Sequence, residues 1–149
     1  MRVRELMSTE IVTVSSTASM KTAAERMLRE RVGSVIVMHT GSPVGIITET
    51  DALKVGYGAD RPFEEVSVRS VMSRPLKTVE PSTTVTTLVS RMRKQDLKKF
   101  PVIDDLELLG IVTMTDIVHN HTELLNEARA LASGRGKRDP KKWRGAFDE

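Results

Sequence analysis

The sequence has no cysteine and few aromatic residues, and both absences restrict what the protein can be. Without cysteine there is no disulfide, no thiolate nucleophile and no cysteine-based metal site. Aromatic residues make up only 3% of the chain, so the core must be built from aliphatic side chains and methionine. Asparagine and glutamine are also scarce, which favours a thermophilic source because both side-chain amides are thermolabile.

Long apolar runs are missing as well. No stretch approaches the roughly 18 consecutive apolar residues that a membrane span needs. The first ten residues, MRVRELMSTE, contain no apolar stretch of the signal-peptide type. A composition of 39% hydrophobic and 29% charged residues is typical of a globular chain. We therefore expect a cytoplasmic protein with no membrane association.

The net charge of +3 is carried by the end of the chain. Residues 133–149 include six basic and three acidic residues, whereas residues 1–132 include 17 of each. This tail also contains Trp143 and Phe147, and basic residues next to aromatic ones suit contacts with nucleic acid. A loosely ordered terminus, or docking of the tail on the rest of the chain or on a partner subunit, are the alternative interpretations.

An internal repeat organises the rest of the sequence. At an offset of 65 positions, residues 3–51 align with residues 68–116 without a gap, and 15 of the 49 pairs are identical. Many other pairs exchange one aliphatic residue for another, such as Ile47 and Val112. Two copies of one supersecondary unit are therefore expected.

Each copy has the pattern of strand, helix, strand, strand and helix. The segments IVTV (11–14) and LKTV (76–79) are short and rich in β-formers, and apolar residues then recur at helical spacing from Met20 and from Val85. Two further apolar runs in each copy are separated by a turn signal, GSP or DLE, and are expected to be adjacent strands.

These elements predict an α+β fold of two tandem β-α-β-β-α repeats that pack through their sheets with pseudo-twofold symmetry. One copy of about 50 residues would bury too little surface to be stable alone. The predicted boundaries are residues 1–56 for the first repeat, 57–67 for a linker, 68–132 for the second repeat with a C-terminal helix, and 133–149 for the basic tail.

The segments GIITETD (45–51) and GIVTMTD (110–116) occupy the same place in both repeats. In each, a strand gives way to a helix, whose free N–H groups favour phosphate. A threonine hydroxyl there can donate to a phosphate oxygen, and the final carboxylate can accept from a ribose diol. The leading glycine permits tight strand packing or a close backbone approach. Such a site would bind a nucleotide without transforming it.

The element order, the Val and Met near the start of each repeat and the pattern G-h-h-T-x-x-D (h, hydrophobic) resemble the cystathionine-beta-synthase (CBS) domain family. Over residues 3–120, the tandem pair resembles a Bateman module. The resemblance implies a stand-alone regulatory protein, not an enzyme, that binds AMP, ADP, ATP or S-adenosylmethionine in clefts between its repeats. It also implies a homodimer that signals to an unidentified effector protein.

The resemblance implies that each cleft draws on both repeats. One cleft would use Thr113, Thr115 and Asp116 for ribose and phosphate, Lys98 for phosphate, and Ile11, Val12, Val32 and Gly33 around the base. The other would use Thr48, Thr50 and Asp51, with Leu76, Lys77 and Leu97 around the base. Because Lys98 adds a charge, we expect the Asp116 cleft to be the better anion site.

Two other interpretations stay open. Asp51 and Asp116 can simply cap the helices that follow them, and the protein would then be a structural adaptor with empty clefts. Alternatively, the basic tail makes it a nucleic-acid-associated protein. No metal or catalytic residues are predicted, because His119 and His121 do not share a helix face and no nucleophile with a positioned base is recognisable.

Overall fold

The computed structural model describes residues 1–133, with side chains described except at 122–128, 131 and 133. The basic tail, with Trp143 and Phe147, and the three interpretations of it therefore lie outside the described residues. Among the helices of residues 1–133, none is long and apolar enough to cross a membrane.

The order of elements confirms the α+β class and the duplication. The first repeat contains α1 (Val3–Leu6), β1 (Thr13–Ser15), α2 (Met20–Glu30), β2 (Ser34–His39), β3 (Ser42–Thr48) and α3 (Glu49–Gly58). A short 3-10 helix (Phe63–Glu65) leads to the second repeat, with α4 (Val68–Val71), α5 (Val85–Gln95), β4 (Lys99–Asp104), β5 (Glu107–Thr113) and α6 (Met114–Ser133). The sequence did not predict α1 or α4, and α3 continues two residues past the expected boundary at residue 56.

Each repeat is built on an antiparallel hairpin with the same register. Strand β2 pairs with β3, and β4 pairs with β5, with a register shift after Val37 in one and after Val102 in the other. The helices α2 and α5 begin at equivalent caps, where Ser19 accepts from the Thr22 N–H and Thr84 from the Thr87 N–H. The predicted strand pairs and helices are therefore confirmed.

The predicted strand LKTV is the exception. In the first repeat β1 runs parallel to β2, and the Ile36 N–H donates to the Val12 carbonyl over 2.9 Å. The residue equivalent to Ile36 is Pro101, which has no N–H to donate to Lys77. The pairing shrinks to one parallel bridge between Val79 and Val102, so the prediction of a full strand at 76–79 was wrong.

The two cores exchange their opening segments. Val3 and Leu6 of α1 are buried in the core of the second repeat, against residues such as Phe100. In the same way, Val68 of α4 is buried in the core of the first repeat, beside Met20. Main-chain bonds fix both segments, from the Val3 N–H to Thr83 (2.8 Å) and from the Val68 N–H to Ala18 (3.0 Å). Neither repeat can complete its core without the other.

The two hairpin turns differ at the position of Gly41 and Leu106, and we expect this difference to affect stability. Thr40 and Gly41 in the first turn, and Asp105 and Leu106 in the second, all have positive φ. Leu106 has φ 71°, a backbone conformation that is unfavourable for a residue with a Cβ. Because its side chain is 86% exposed, burial does not compensate for this cost. We expect Leu106→Gly to raise the free energy of unfolding by about 1 kcal/mol in urea denaturation.

Leu106→Ala is the control for this prediction, because alanine shortens the side chain but keeps the Cβ that makes positive φ unfavourable. It should give little or none of the gain. An equal gain from both variants would show that loss of the exposed leucine, not relief of the backbone, is responsible.

Candidate functional site

A cleft of about 640 Å³ lies between the repeats, where β3 gives way to α3. The first repeat contributes Gly33, Ile46, residues 48–51 and Lys54, and the second contributes residues 73–77, residues 96–99 and Pro101. We call this the Asp51 cleft. Its volume falls within the range of about 300–1,000 Å³ that is usual for small-molecule sites.

Thr48 and Asp51 hold the start of α3 at the edge of the cleft. The Asp51 Oδ2 accepts from the Thr48 N–H (2.8 Å) and the Thr48 hydroxyl (3.0 Å), while the Asp51 N–H donates to Thr48 Oγ1 (3.2 Å). This reciprocal arrangement is a capping box. Asp51 therefore caps α3, and whether it also contacts a ligand is a separate prediction.

The second repeat has the same box. The Thr113 N–H donates to Asp116 Oδ2 over 2.8 Å, and the Asp116 N–H donates to Thr113 Oγ1 over 3.1 Å. Within residues 1–133, the hydrogen bonds of both carboxylates use Oδ2. One oxygen of Asp51 therefore stays available to accept from a ligand hydroxyl while the other holds the helix start.

The leading glycines of the two heptads allow the opening segment of the other repeat to pass. A Cβ on Gly110 would lie 2.5 Å from the Ser8 carbonyl oxygen, and a Cβ on Gly45 would lie 2.5 Å from the Met72 sulfur. The predicted backbone approach is confirmed at Gly110, whereas the atoms nearest to Gly45 belong to the Met72 side chain. The contact at Gly45 positions the residues after Met72 in the Asp51 cleft.

The structure brings together the residues that the sequence assigned to the Asp51 cleft. Thr48, Thr50, Asp51, Leu76, Lys77 and Leu97 all line it. Thr50 is exposed, Asp51 is half-buried, and Leu76 and Leu97 approach from the opposite repeat. Their contacts with a ligand stay a prediction.

Lys98 requires a correction. The sequence placed it with Asp116, but it lines the Asp51 cleft, as does Gly33. The reason is that the starts of β2 and β4 meet at the interface, where the Lys99 Nζ donates to the Gly33 carbonyl over 3.0 Å. The positive charge of Lys98 therefore favours anion binding in the Asp51 cleft and not in the Asp116 cleft.

The other residues assigned to the Asp116 cleft do not line this cleft. Val12 and Val32 pack against the core of the first repeat, and Ile11 is half-buried. Thr115 is exposed and Asp116 is half-buried at the start of α6. A ligand role for this second set stays a prediction.

Several charged residues of the Asp51 cleft were not predicted from the sequence. Lys54 lies one helical turn after Asp51, and Arg74 follows the segment that crosses Gly45. Lys99 and Glu49 also line the cleft. The spacing of Lys54 from Asp51 was a usable signal, whereas Arg74 is brought in by a crossing that only the three-dimensional fold shows.

Lys99 is the half-buried cation of the group. Burial lowers the pKa of its ammonium group, and the nearby Glu49 carboxylate partly opposes this effect. In the absence of a ligand, the Lys99 ammonium group is already partly desolvated and is held in place by its hydrogen bond to the Gly33 carbonyl. An anion in the cleft would therefore bind next to a charge whose position is fixed.

The lowered pKa gives a pH dependence of stability in the absence of any ligand. The unfolded chain holds the Lys99 proton up to about its ordinary pKa of 10.5, whereas the folded chain releases it at lower pH. Stability contributed by this group therefore rises with pH from the lowered pKa towards 10.5. In urea denaturation at several alkaline pH values, the free energy of unfolding of the wild type should rise with pH relative to that of Lys99→Met, which cannot titrate. If the free energies of unfolding of wild type and Lys99→Met differ by the same amount at every pH, the lowered pKa of Lys99 is contradicted.

Comparison with known proteins agrees with this architecture. The family model of the CBS domain matches twice, at residues 3–58 and 68–122. An uncharacterized protein of Methanopyrus kandleri is 36% identical over 119 residues, which are 78% of this chain and 60% of that protein. The CBS domain-containing protein YhcV of Bacillus subtilis is 29% identical over 132 residues, covering 87% of this chain and 91% of its own. The chain thus spans less than two thirds of the first relative.

Among solved structures, the CBS domain pair of protein MJ0100 superimposes with a TM-score of 0.74 at 25% identity. The match covers 81% of this chain and 95% of that one. That structure is a complex with 5′-methylthioadenosine and S-adenosyl-L-methionine, so both of its ligands contain adenosine.

Proposed function

The chain belongs to the CBS domain family, and from this we propose that it is a regulatory module that binds an adenosine-containing ligand and signals to a partner protein. The observation that carries the proposal is the Asp51 cleft, to which both repeats contribute. The complex of the MJ0100 domain pair with two adenosine compounds supports the choice of ligand. No chemical step is assigned to the cleft.

In this proposal the two sides of the cleft have separate tasks. The free oxygen of Asp51 accepts from the ribose hydroxyls, and Thr48 and Thr50 lie beside the ribose and the first phosphate. Leu76 and Leu97, which come from the other repeat, cover the base. A ligand held in this way contacts both repeats at once.

Contact with both repeats provides a route for regulation. A ligand shifts a conformational equilibrium only when it binds one state more tightly than the other. Because the ligand would bridge residues around Asp51 and residues around Lys77, it would favour the state in which the repeats are closely packed. A partner protein that distinguishes this state would then respond to the ligand.

Thermal unfolding in the presence of adenosine compounds tests the proposal. A ligand at about 100 times its dissociation constant stabilises the folded chain by about 2.7 kcal/mol, which corresponds to a rise of roughly 5–10 °C in Tm for a domain of this size. AMP, ADP, ATP and S-adenosylmethionine at millimolar concentration would be compared. At least one should raise the Tm, and no shift with any of them would contradict the proposal.

We also propose that the module forms a homodimer through its exposed helix faces. Leu53 and Tyr57, one turn apart on α3, are 74% and 96% exposed. The position equivalent to Leu53 on α6 is Val118, which is 52% exposed. Each repeat therefore exposes an aliphatic side chain at this helix position, which suits the self-complementary contact of a second copy.

The double variant Leu53→Glu, Tyr57→Glu should dissociate this dimer, because the glutamates would place like charges at an apolar contact. Analytical ultracentrifugation should then give one half of the wild-type mass. Leu106→Glu is the matched control, since Leu106 is 86% exposed and belongs to the hairpin turn of the second repeat, not to α3. A wild-type monomer, or a dimer that survives the double variant, would contradict this interface.

A further inference from the structure

We infer that the Asp51 cleft selects an adenosine ligand with a polyphosphate chain over S-adenosylmethionine and other adenosine compounds without phosphate. The inference rests on the proposed function and names the ligand class of that site. It follows from the charges that surround the cleft and from their absence at the equivalent positions of the other repeat.

Cations are concentrated around this cleft. Five basic side chains line it: Lys54, Arg74, Lys77, Lys98 and Lys99. Three carboxylates accompany them: Glu49, Asp51 and Asp96. Since residues 1–132 as a whole carry no net formal charge, this excess of two positive charges is a local feature. A cleft lined mainly by one sign of charge attracts ligands of the other sign.

The carboxylates oppose this field only in part. Asp51 uses Oδ2 to accept from the Thr48 N–H and hydroxyl. Glu49 lies close enough to Lys99 to act on its pKa. The cations, by contrast, approach from three segments and from both repeats, so a phosphate chain in the cleft would have positive charge on more than one side.

The duplication supplies an internal comparison. The equivalents of the five basic residues at the 65-residue offset are Thr9, Val12, Gly33, Ser34 and His119. All 17 equivalent positions together include two cations, Arg31 and Lys98, and two carboxylates, Glu10 and Asp116. Because the fold is the same and the basic residues are not, the positive charge is a property of one cleft and not of the architecture.

Lys99 differs from a solvated surface lysine in its burial and in its hydrogen bond. It is half-buried, and the bond from its Nζ to the Gly33 carbonyl holds the ammonium group at the repeat interface. A charged hydrogen bond to phosphate is stronger there than one from a freely hydrated side chain. The other cations can then follow the phosphate chain outwards, since Arg74 and Lys77 are exposed.

S-adenosylmethionine does not match these charges. Its sulfonium group is positive and would meet the same five cations, whereas methylthioadenosine is neutral and would gain nothing from them. Specific sites often combine an attractive element for one ligand with a repulsive element against another. The cations of this cleft attract a polyphosphate chain and repel a sulfonium group.

Isothermal titration calorimetry of the full chain tests the inference. The ligands are AMP, ADP, ATP, S-adenosylmethionine, methylthioadenosine and inorganic tripolyphosphate, each at low and high salt. We expect affinity to rise from AMP to ATP by about tenfold or more, as one or two added charged hydrogen bonds would give. The affinity for ATP should also fall with salt, because screening weakens the charge term.

Variants that copy the other repeat identify the residues responsible. Arg74→Thr with Lys77→Val introduces the residues of the equivalent positions and should reduce the affinity for ATP about tenfold, with little change for methylthioadenosine. Lys54→His provides a second, independent removal of charge. Lys94→Gln is the matched control, because Lys94 is an exposed cation on α5 outside the cleft. Affinity for S-adenosylmethionine equal to that for ATP would overturn the inference.

The same titrations separate this inference from the proposed function. If S-adenosylmethionine or methylthioadenosine binds as tightly as ATP, the module binds adenosine but the inference about phosphate is wrong. If tripolyphosphate binds as tightly as ATP and adenosine adds nothing, the anion site exists but the proposed adenosine function is wrong. If no compound binds, both are wrong.

Discussion

Gly110→Ala will lower the free energy of unfolding by about 2–3 kcal/mol, the largest effect on stability that we expect from adding one methyl group to this chain. The added Cβ would lie 2.5 Å from the Ser8 carbonyl oxygen, a main-chain atom. Ser8 and Ile111 also exchange two hydrogen bonds of 2.8 and 2.9 Å beside this point. The opening segment can move away only by weakening that pair and withdrawing Leu6 from the second core.

Gly45→Ala should cost less, about 1 kcal/mol, because its nearest contacts are the side-chain atoms of Met72, which is flexible. Gly58→Ala is the control, since a Cβ there meets nothing within 4 Å. Urea denaturation of the three variants would measure the loss in free energy of unfolding for each, which should be largest for Gly110→Ala and smallest for Gly58→Ala. If Gly110→Ala is as stable as Gly58→Ala, the segment crossing does not hold the repeats together as described.

Asp51→Ala should reduce the affinity for the adenosine ligand at least tenfold, while Asp116→Ala leaves it unchanged. Loss of a charged hydrogen-bond acceptor for the ribose accounts for a factor of this size. Both aspartates form the same capping box, so both variants should lose a similar stability, about 1 kcal/mol. The pair therefore separates a ligand effect from a helix-capping effect.

Titration calorimetry with ATP, together with urea denaturation of each variant, measures both quantities. Equal loss of affinity in the two variants would mean either that both aspartates affect binding only by stabilising the fold or that both clefts bind the ligand. Unchanged affinity in Asp51→Ala would remove the Asp51 cleft from the account and leave its carboxylate as a helix cap only.

The repeated sequence predicted the hairpins, because alternating apolar residues and turn signals are local features. The resemblance to the CBS family implied six residues that line the Asp51 cleft, of which Thr48, Thr50 and Asp51 lie at the junction of β3 and α3. The sequence did not predict that Pro101 would reduce the first strand of the second repeat to one bridge. That outcome depends on which residue lies opposite Lys77.

The placement of Lys98 shows a second limit of sequence reasoning. The pattern places a basic residue before β4, but the cleft that it faces depends on how the starts of β2 and β4 meet. That meeting is fixed by contacts across 66 positions, such as the one between Lys99 and Gly33. Arg74 enters the cleft for a similar reason, since the glycine at 45 lets its segment cross.

The most direct test of the central claim is to map ATP on the chain by the amide chemical shifts of the labelled protein during a titration. We predict the largest changes at residues 48–51 and 74–77, with Lys98 and Lys99, because these segments enclose the Asp51 cleft from the two repeats. Shift changes centred on residues 113–116 or on the tail would contradict the account, as would a titration that changes no shifts at all.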